Sequence, residues 1–448
     1  MLKEEVDVEV RGIGAGGSGI ADLPDGRVVF VPRTTEGDRA RIRVERIRPR
    51  WARGSLVEVL DPARSRVNPP CKKYTECGGC QLQHVSYEDQ LTWKGRFITD
   101  ALARIGGLRK VSTPEVVSSP SRLRYRNRVS FTLRRLSGGH VVAGFHALHR
   151  PAHIVDIDSE CLLPHQKLSQ TWSKLRAGWG KSAELLPSAG RIRMTLGLSG
   201  ENGAEVDLVV EGGRSGWDGE RLFKSVGAVR AIWHRPSENK SAGEERDRMI
   251  LAGGGVLDAP TPTFAQVNDE AAELLRTHVI KCCTSALQSN EQVALPTFPI
   301  IDAYCGSGAY GSALASEGLS VVGIESDPSA VEQARASVRA KMAQHNKEFG
   351  RFEVQEGLVE DLLPTLLPAE VLVFNPPRSG LHEDVPAQIL ANAPRRILYV
   401  SCDPATLARD VKRLGDQYAL DRLRAFDLFP QTAHVEAVAE LTFRGVAQ

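Results

Sequence analysis

IIDAYCGSGAYG, from Ile300 to Gly311, opens the stretch whose pattern decides the fold. An apolar, β-branched run ends in an acid, Asp302, and passes into glycines at Gly306, Gly308 and Gly311. This is how a strand enters a loop and then a helix. Residues 268–281 ahead of it read as a helix. Beyond it come a helix from about Gly311, strand 320–325, helix 328–344 and strands 351–356, 370–374 and 396–401. Such alternation predicts a doubly wound, Rossmann-like parallel sheet that binds ligands at the carboxyl ends of its strands. YVSCDPATLARD, Tyr399 to Asp410, places Cys402 just past one such strand, between a serine and an Asp-Pro turn. Glu325 ends the second strand, where a carboxylate can accept both hydroxyls of a ribose. FNPPRSG, Phe374 to Gly380, ends another in a rigid turn that brings Asn375 and Arg378 to the cleft. The glycine series matches the dehydrogenase pattern GxGxxG only loosely, and a glycine loop alone is weak evidence.

Working outward, residues 5–60 hold short alternating strands (VDVEV, RVVFV, ARIRVERI, GSLVEVL) separated by Gly-rich turns. This predicts a small closed barrel of the oligonucleotide-binding type. A cysteine-containing loop follows at 68–83 and a helix at 86–105. Residues 122–210 return to strand patterns and point to a mixed, β-rich central domain, and 236–247 form a polar loop. Three domains are expected: a barrel at 1–62, a central domain at 63–85 with 119–258, and a catalytic domain at 86–118 with 259–448.

With 448 residues the chain exceeds one ordinary core. It has no apolar run of membrane-span length and no signal-peptide core, so a cytoplasmic protein is expected. Net charge is only +2, but the basic residues cluster: seven arginines against one acid, Glu45, between Arg39 and Arg53, and six arginines without an acid between Arg122 and Arg135. One cluster alone reads as a solvated face; two point to nucleic acid. Arg39, Arg41 and Arg43, and likewise Arg122, Arg124, Arg126 and Arg128, recur every second residue, which on a strand makes a one-faced ladder. Eight cysteines in a reducing compartment suit metal or catalysis better than disulfides. Cys71, Cys77 and Cys80 form C-x5-C-x2-C with Cys161 far downstream, a set of four thiols suited to zinc or an iron–sulfur cluster. Cys282 and Cys283 read as bystanders at a helix end.

DAYCGSG, FNPPRSG, YVSCDPATLARD, the late FPQTAHVEAVAEL and FAQVN at 264–268 together resemble the S-adenosylmethionine-dependent RNA (uracil-C5) methyltransferases, and the barrel resembles a TRAM domain. The resemblance spans nearly the whole chain and is weakest over 165–255. It implies that Gln266, Tyr304 and Glu325 contact the methyl donor with Asn375 at the edge, that Cys402 is the nucleophile and Glu436 the proton acceptor. It also implies a four-iron four-sulfur cluster on Cys71, Cys77, Cys80 and Cys161, structural rather than redox-active. Two positions depart from the family pattern: Asn375 stands where Asp is usual, and Ala309 where Asn is frequent.

The implied chemistry is coherent. Uracil C5 is a poor nucleophile until a thiolate adds at C6, and a carboxylate must later remove the C5 proton. The expected partner is structured RNA, ribosomal favoured over transfer RNA, met by a monomer with no obligate protein partner. An amino-group methyltransferase working through Asn375 is an alternative that leaves Cys402 and Glu436 without roles. A noncatalytic RNA-binding or RNA-folding protein is another.

Overall fold

A computed structural model describes residues 4–237, 249–252, 266–288, 298–344 and 349–445. Strands β1 (Glu5–Ile13), β2 (Ser18–Asp22), β3 (Val28–Pro32), β4 (Arg39–Ile47) and β5 (Trp51–Asp61) close a barrel in the order β1-β2-β3-β5-β4. Alternation drives its closure: Ala40, Ile42 and Val44 of β4 point into a core with Val8, Val29, Val31 and Ala52. The outward arginines of β4 face β1 in register, Asp7 opposite Arg41 and Glu5 opposite Arg43. Arg41 therefore bonds Asp7 at 2.9 Å, and Arg43 bonds Glu5 at 2.7 Å. The ladder exists, but two of its three guanidinium groups are already paired with acids.

Helix α1 (Tyr87–Arg104) and the two-residue β6 (Val116–Val117) come next. Ser86 caps α1 by accepting from the Asp89 amide. A seven-stranded sheet follows, in the order β13-β12-β11-β10-β7-β8-β9. It is built from β7 (Arg128–Arg135), β8 (Val141–His146), β9 (Ile154–Asp156), β10 (Arg191–Ser199), β11 (Glu205–Glu211), β12 (Ala231–Arg235) and β13 (Met249–Ala252). Helix α2 (Gln166–Gly178) interrupts the strand pattern expected across 122–210, and α3 (Glu220–Val226) follows that stretch. Leu168, Thr171, Trp172 and Leu175 are buried at helical spacing, with Trp172 stacked 4.1 Å from Phe131. Most of the polar segment 236–247 lies outside the described residues.

The expected arginine ladder at 122–128 does not form. Strand β7 begins only at Arg128, and Arg124 adopts a left-handed backbone with φ 59°. Arg124 turns inward to donate to the Cys161 carbonyl at 2.8 Å, so a backbone carbonyl beside the fourth cysteine claims it before any phosphate could.

The last sheet is doubly wound, as its alternation demands. It contains β14 (Ile300–Ala303), β15 (Val321–Glu325), β16 (Phe352–Glu356), β17 (Val371–Phe374), β18 (Arg396–Ser401), β19 (Tyr418–Phe426) and β20 (Glu436–Phe443), ordered β16-β15-β14-β17-β18-β20-β19-β6. Around it pack α4 (Asp269–Gln288), α5 (Ala309–Ser316), α6 (Pro328–Gln344), α7 (Val359–Leu366), α8 (Val385–Ala391) and α9 (Pro404–Leu414). Strands β14 to β18 run parallel and β20 returns antiparallel between β18 and β19. Ile98 and Leu102 of α1 join Leu407, Val411 and Leu414 of α9 in the core on one face. No described helix is long and apolar enough to cross a membrane.

Candidate functional site

Cys402 follows β18 directly. Asp403 caps α9 by accepting from Ala405 N at 2.8 Å and Thr406 N at 3.1 Å, which anchors the turn and leaves the half-buried thiol at the strand end. The β18–β20 ladder ends with Ser401 opposite Ala437, so the next step sets Cys402 against Glu436. Glu436 is 3% exposed. Burial pushes its carboxyl up to about 8, against the opposing pull of the Arg378 cation. Burial and the neighbouring Glu436 push the Cys402 thiol up as well, again countered by Arg378. Arg378 is thus the cation common to both groups. The sequence placed it at the cleft, but its action on the acid needed the fold.

Cys402 lines a cleft of about 720 Å³ between the barrel and the last sheet. Across it stand Trp51 and Phe30 of the barrel, edge to face at 6.2 Å, with Arg11, Arg50 and Arg104 around the walls. His434 lines the same cleft, its imidazole held below its ordinary range chiefly by burial. Trp51 escaped the sequence reading, because nothing local marks a barrel residue as facing a distant thiol, and His434 escaped it because only the fold brings it to this cleft.

On the other side of the 375–378 turn lies a second cleft, of about 420 Å³, at the carboxyl ends of β14, β15 and β16. Tyr304, Glu325, Glu360 and Pro377 are among its walls. Glu325 is oriented by backbone donors: Gly306 N at 2.9 Å to one oxygen, Ser326 N and Asp327 N at 2.8 Å to the other. With three of about four lone-pair sites engaged, a carboxylate keeps limited room for a hydroxyl donor. Tyr304 adopts φ 61°, and burial pushes its hydroxyl up to about 12. Asn375 N donates to Ala303 O at 3.4 Å. Gln266 sits ahead of α4, its carbonyl held by Asn127 at 2.8 Å. Neither Gln266 nor Asn375 lines this cleft, which gathers Tyr304 and Glu325 alone of the four expected donor contacts. The glycine loop owes its composition partly to packing. A Cβ at Gly308 or Gly311 would come within 2.7 or 2.3 Å of the Phe352 ring, and Gly308 has φ 75°. Asp302 is fully buried; one oxygen accepts from Gly311 N at 3.0 Å and the other has no partner. Burial pushes its carboxyl up to about 7.

Cys71, Cys77, Cys80 and Cys161 line a third cavity of about 120 Å³ with Tyr74, Arg126 and Phe145. Burial pushes Cys80 up to about 11 and Cys161 to about 12, with the other thiols adding to each shift. No three of these sulfurs lie within 4.8 Å of one another. A single tetrahedral zinc would hold them about 3.8 Å apart. The donor set is four thiols, spread too widely for one ion and sharing one cavity, which fits a multinuclear cluster. Arg33 reaches in from the barrel, donating to Cys80 O and Tyr74 O at 2.6 Å and to Cys77 O at 2.7 Å. Gln431 O accepts from Gln81 N and Leu82 N at 3.1 and 3.0 Å, tying the cysteine loop to the segment that leads into Glu436.

The last sheet is thus a Rossmann-like domain with clefts at its strand ends, preceded by a closed five-stranded barrel. Residues 263–442 match the model of the tRNA (uracil-5-)-methyltransferase family, and residues 1–57 match the TRAM domain. The chain is 32% identical to an uncharacterized RNA methyltransferase of Thermosynechococcus vestitus, covering 98% of both chains. It is 34% identical to another from Nostoc sp., over 98% of this chain and 96% of that one. The crystal structure of the Pyrococcus abyssi tRNA (uracil-54, C5)-methyltransferase in complex with S-adenosyl-L-homocysteine superposes with a TM-score of 0.71 at 26% identity, covering 98% and 100% of the two chains. This chain belongs to the tRNA (uracil-5-)-methyltransferase family of RNA methyltransferases.

Proposed function

We propose that this protein methylates C5 of a uridine in structured RNA through a transient covalent bond from Cys402 to C6 of the base. The observation that carries this reading is that Cys402 and Glu436 each lie one residue beyond the Ser401–Ala437 end of the β18–β20 ladder, where Glu436 acts on the thiol and Arg378 on both groups. S-adenosylmethionine, bound against Tyr304 and Glu325 with Gln266 and Asn375 at the periphery, supplies the methyl group. Cys402 loses its proton and adds to C6; the C5–C6 π pair shifts onto C5 and the carbonyl. C5 displaces the methyl group from sulfur. Glu436, as the carboxylate, takes the remaining C5 proton, and the C6–S bond breaks to restore the ring and the thiolate. Arg378 favours both the thiolate and the carboxylate, as its effect on the two groups requires.

A target uridine must leave its stack to reach the thiol. Trp51 and Phe30 offer aromatic faces in the same cleft for the bases beside it. The four cysteines of the third cavity hold a four-iron four-sulfur cluster that ties the 68–83 loop to the segment that follows β9. The Pyrococcus relative acts on transfer RNA, whereas a barrel combined with a cluster resembles the ribosomal-RNA members, so the assay must offer both. Purified protein incubated with labelled donor and with ribosomal or transfer RNA transcripts yields 5-methyluridine at one site in one of them. Methylation confined to amino groups, or none with either RNA, overturns the proposal.

A further inference from the structure

The helix α4 carries Cys282 and Cys283 in its interior, not at its end, and Cys282 is engaged. Its thiol donates to Glu440 Oε1 of β20 at 3.3 Å. His278, one turn earlier, places Nε2 3.7 Å from the same sulfur and 4.0 Å from the same carboxylate oxygen. Spacing of four on a helix puts His278 and Cys282 on one face, and that face lies against the strand bearing Glu440. The three ligand atoms lie within 4.8 Å of one another, the one such group among the described residues.

From this juxtaposition we propose that His278, Cys282 and Glu440 form a binding site for a divalent cation of the zinc type, separate from the cysteine cavity and from the catalytic clefts. Zinc bonds of about 2.3 Å to sulfur and about 2.0 Å to nitrogen or oxygen set tetrahedral ligands about 3.3–3.5 Å apart. The observed separations of 3.3, 3.7 and 4.0 Å need only a small side-chain adjustment to meet that figure. A thiol, an imidazole and a carboxylate are also the mixed donor set that a borderline-soft ion takes in preference to calcium or magnesium. The burial of Glu440 supports the site. It is 5% exposed and, among the described residues, no arginine forms an ion pair with it. Arg396, Arg422 and Arg424 and Lys281 stand nearby and disfavour a bare cation. A thiolate and a carboxylate cancel the charge of one dication, so the occupied site is neutral toward them. The Cys282 proton leaves to solvent as the metal enters. Three protein ligands leave a fourth position for water, and His278 keeps 14% of its side chain exposed.

Cobalt(II) titration of the full-length, chelator-washed protein tests this, read as a difference spectrum over any cluster absorption. One equivalent should give a thiolate-to-cobalt charge-transfer band, reversed by zinc. The band should vanish in Cys282→Ser and in His278→Ala, while Glu440→Gln should weaken cobalt binding at least tenfold. Zinc should raise the melting temperature of the wild type and leave that of His278→Ala unmoved. A folded wild type without the band, or a band that survives in both Cys282→Ser and His278→Ala, overturns the site.

Discussion

Lys94 Nζ donates to Asp427 Oδ1 at 2.6 Å, and neither side chain has any solvent exposure. The pair joins the middle of α1 to the segment that follows β19, and Lys94 reaches the Phe429 carbonyl as well, at 3.0 Å. Asp427 also accepts from the Tyr87 hydroxyl at 3.0 Å. Desolvation lowers the Lys94 ammonium, and Asp427 opposes that loss. Lys94→Ala leaves a buried carboxylate uncompensated and should cost about 3–5 kcal/mol. Denaturant unfolding measures it. The double replacement Lys94→Met with Asp427→Leu should recover most of the loss, since the cost arises from the orphaned charge.

Cys402→Ala should abolish turnover and leave donor binding within about twofold of wild type, since the thiol acts on the base and not on the donor. Equilibrium binding of the donor and a tritium-release assay separate the two. Normal turnover in this variant would refute covalent catalysis.

Glu436→Gln should trap a methylated RNA adduct on Cys402 that survives a denaturing gel. In the wild type, the rate should rise with pH up to about 8, as the carboxyl becomes the base. Stability runs the other way. The folded carboxyl sits far above an unfolded glutamate, so its protonated form stabilises the native state below about 4.5, and that benefit is lost as pH rises through about 8. Glu436→Gln should therefore gain stability over wild type at pH 9 and show little gain at pH 4. Thermal scans at the two values check the sign.

Cys77→Ser or Cys161→Ser should lose iron and loosen the contacts around the third cavity, because the thiols come from segments far apart in the chain. Anaerobically purified wild type should carry about four irons per chain. Stoichiometric zinc on these four cysteines, without iron, would contradict the cluster.

Replacing Arg50 and Trp51 by alanine should weaken RNA binding more than replacing Arg41 and Arg43. Arg50 and Trp51 line the cleft that holds Cys402, whereas Arg41 and Arg43 are paired with Asp7 and Glu5. Removing one phosphate contact flattens the slope of log K against log salt by about 0.7–0.9. Binding isotherms across a salt series decide between the two sets.

The doubly wound sheet was legible because its strands and helices alternate with strong local periodicity, and Cys402 because turn chemistry brackets it. The barrel was legible from its short alternating strands. What escaped depends on contacts between distant segments. Arg124 and Arg126 look like a strand ladder until the Cys161 carbonyl claims the first and the Tyr125 hydroxyl the second. The helix at 166–178 hides because its buried face, Leu168, Ser169, Thr171, Trp172 and Leu175, holds only three apolar residues. Cys282 gains a partner only when β20 carries Glu440 beneath α4. Gln266 and Asn375 were expected beside Glu325, yet the second cleft gathers only Tyr304 with it.

Strand β6 pairs with β19 at the outer edge of the last sheet, with Val116 opposite Ala425 and Val117 opposite Phe426, while α1 covers α9 on one face. The half of the chain that carries Cys402 is therefore not an excisable module. A fragment beginning at residue 266 would bare Leu407 and Val411 and leave β19 as an open edge, both invitations to aggregate. Gene fusions or truncations that discard the first 117 residues remove a wall of the catalytic half along with the barrel. Any shortened version of this enzyme would have to keep α1 and β6, or supply a substitute for them.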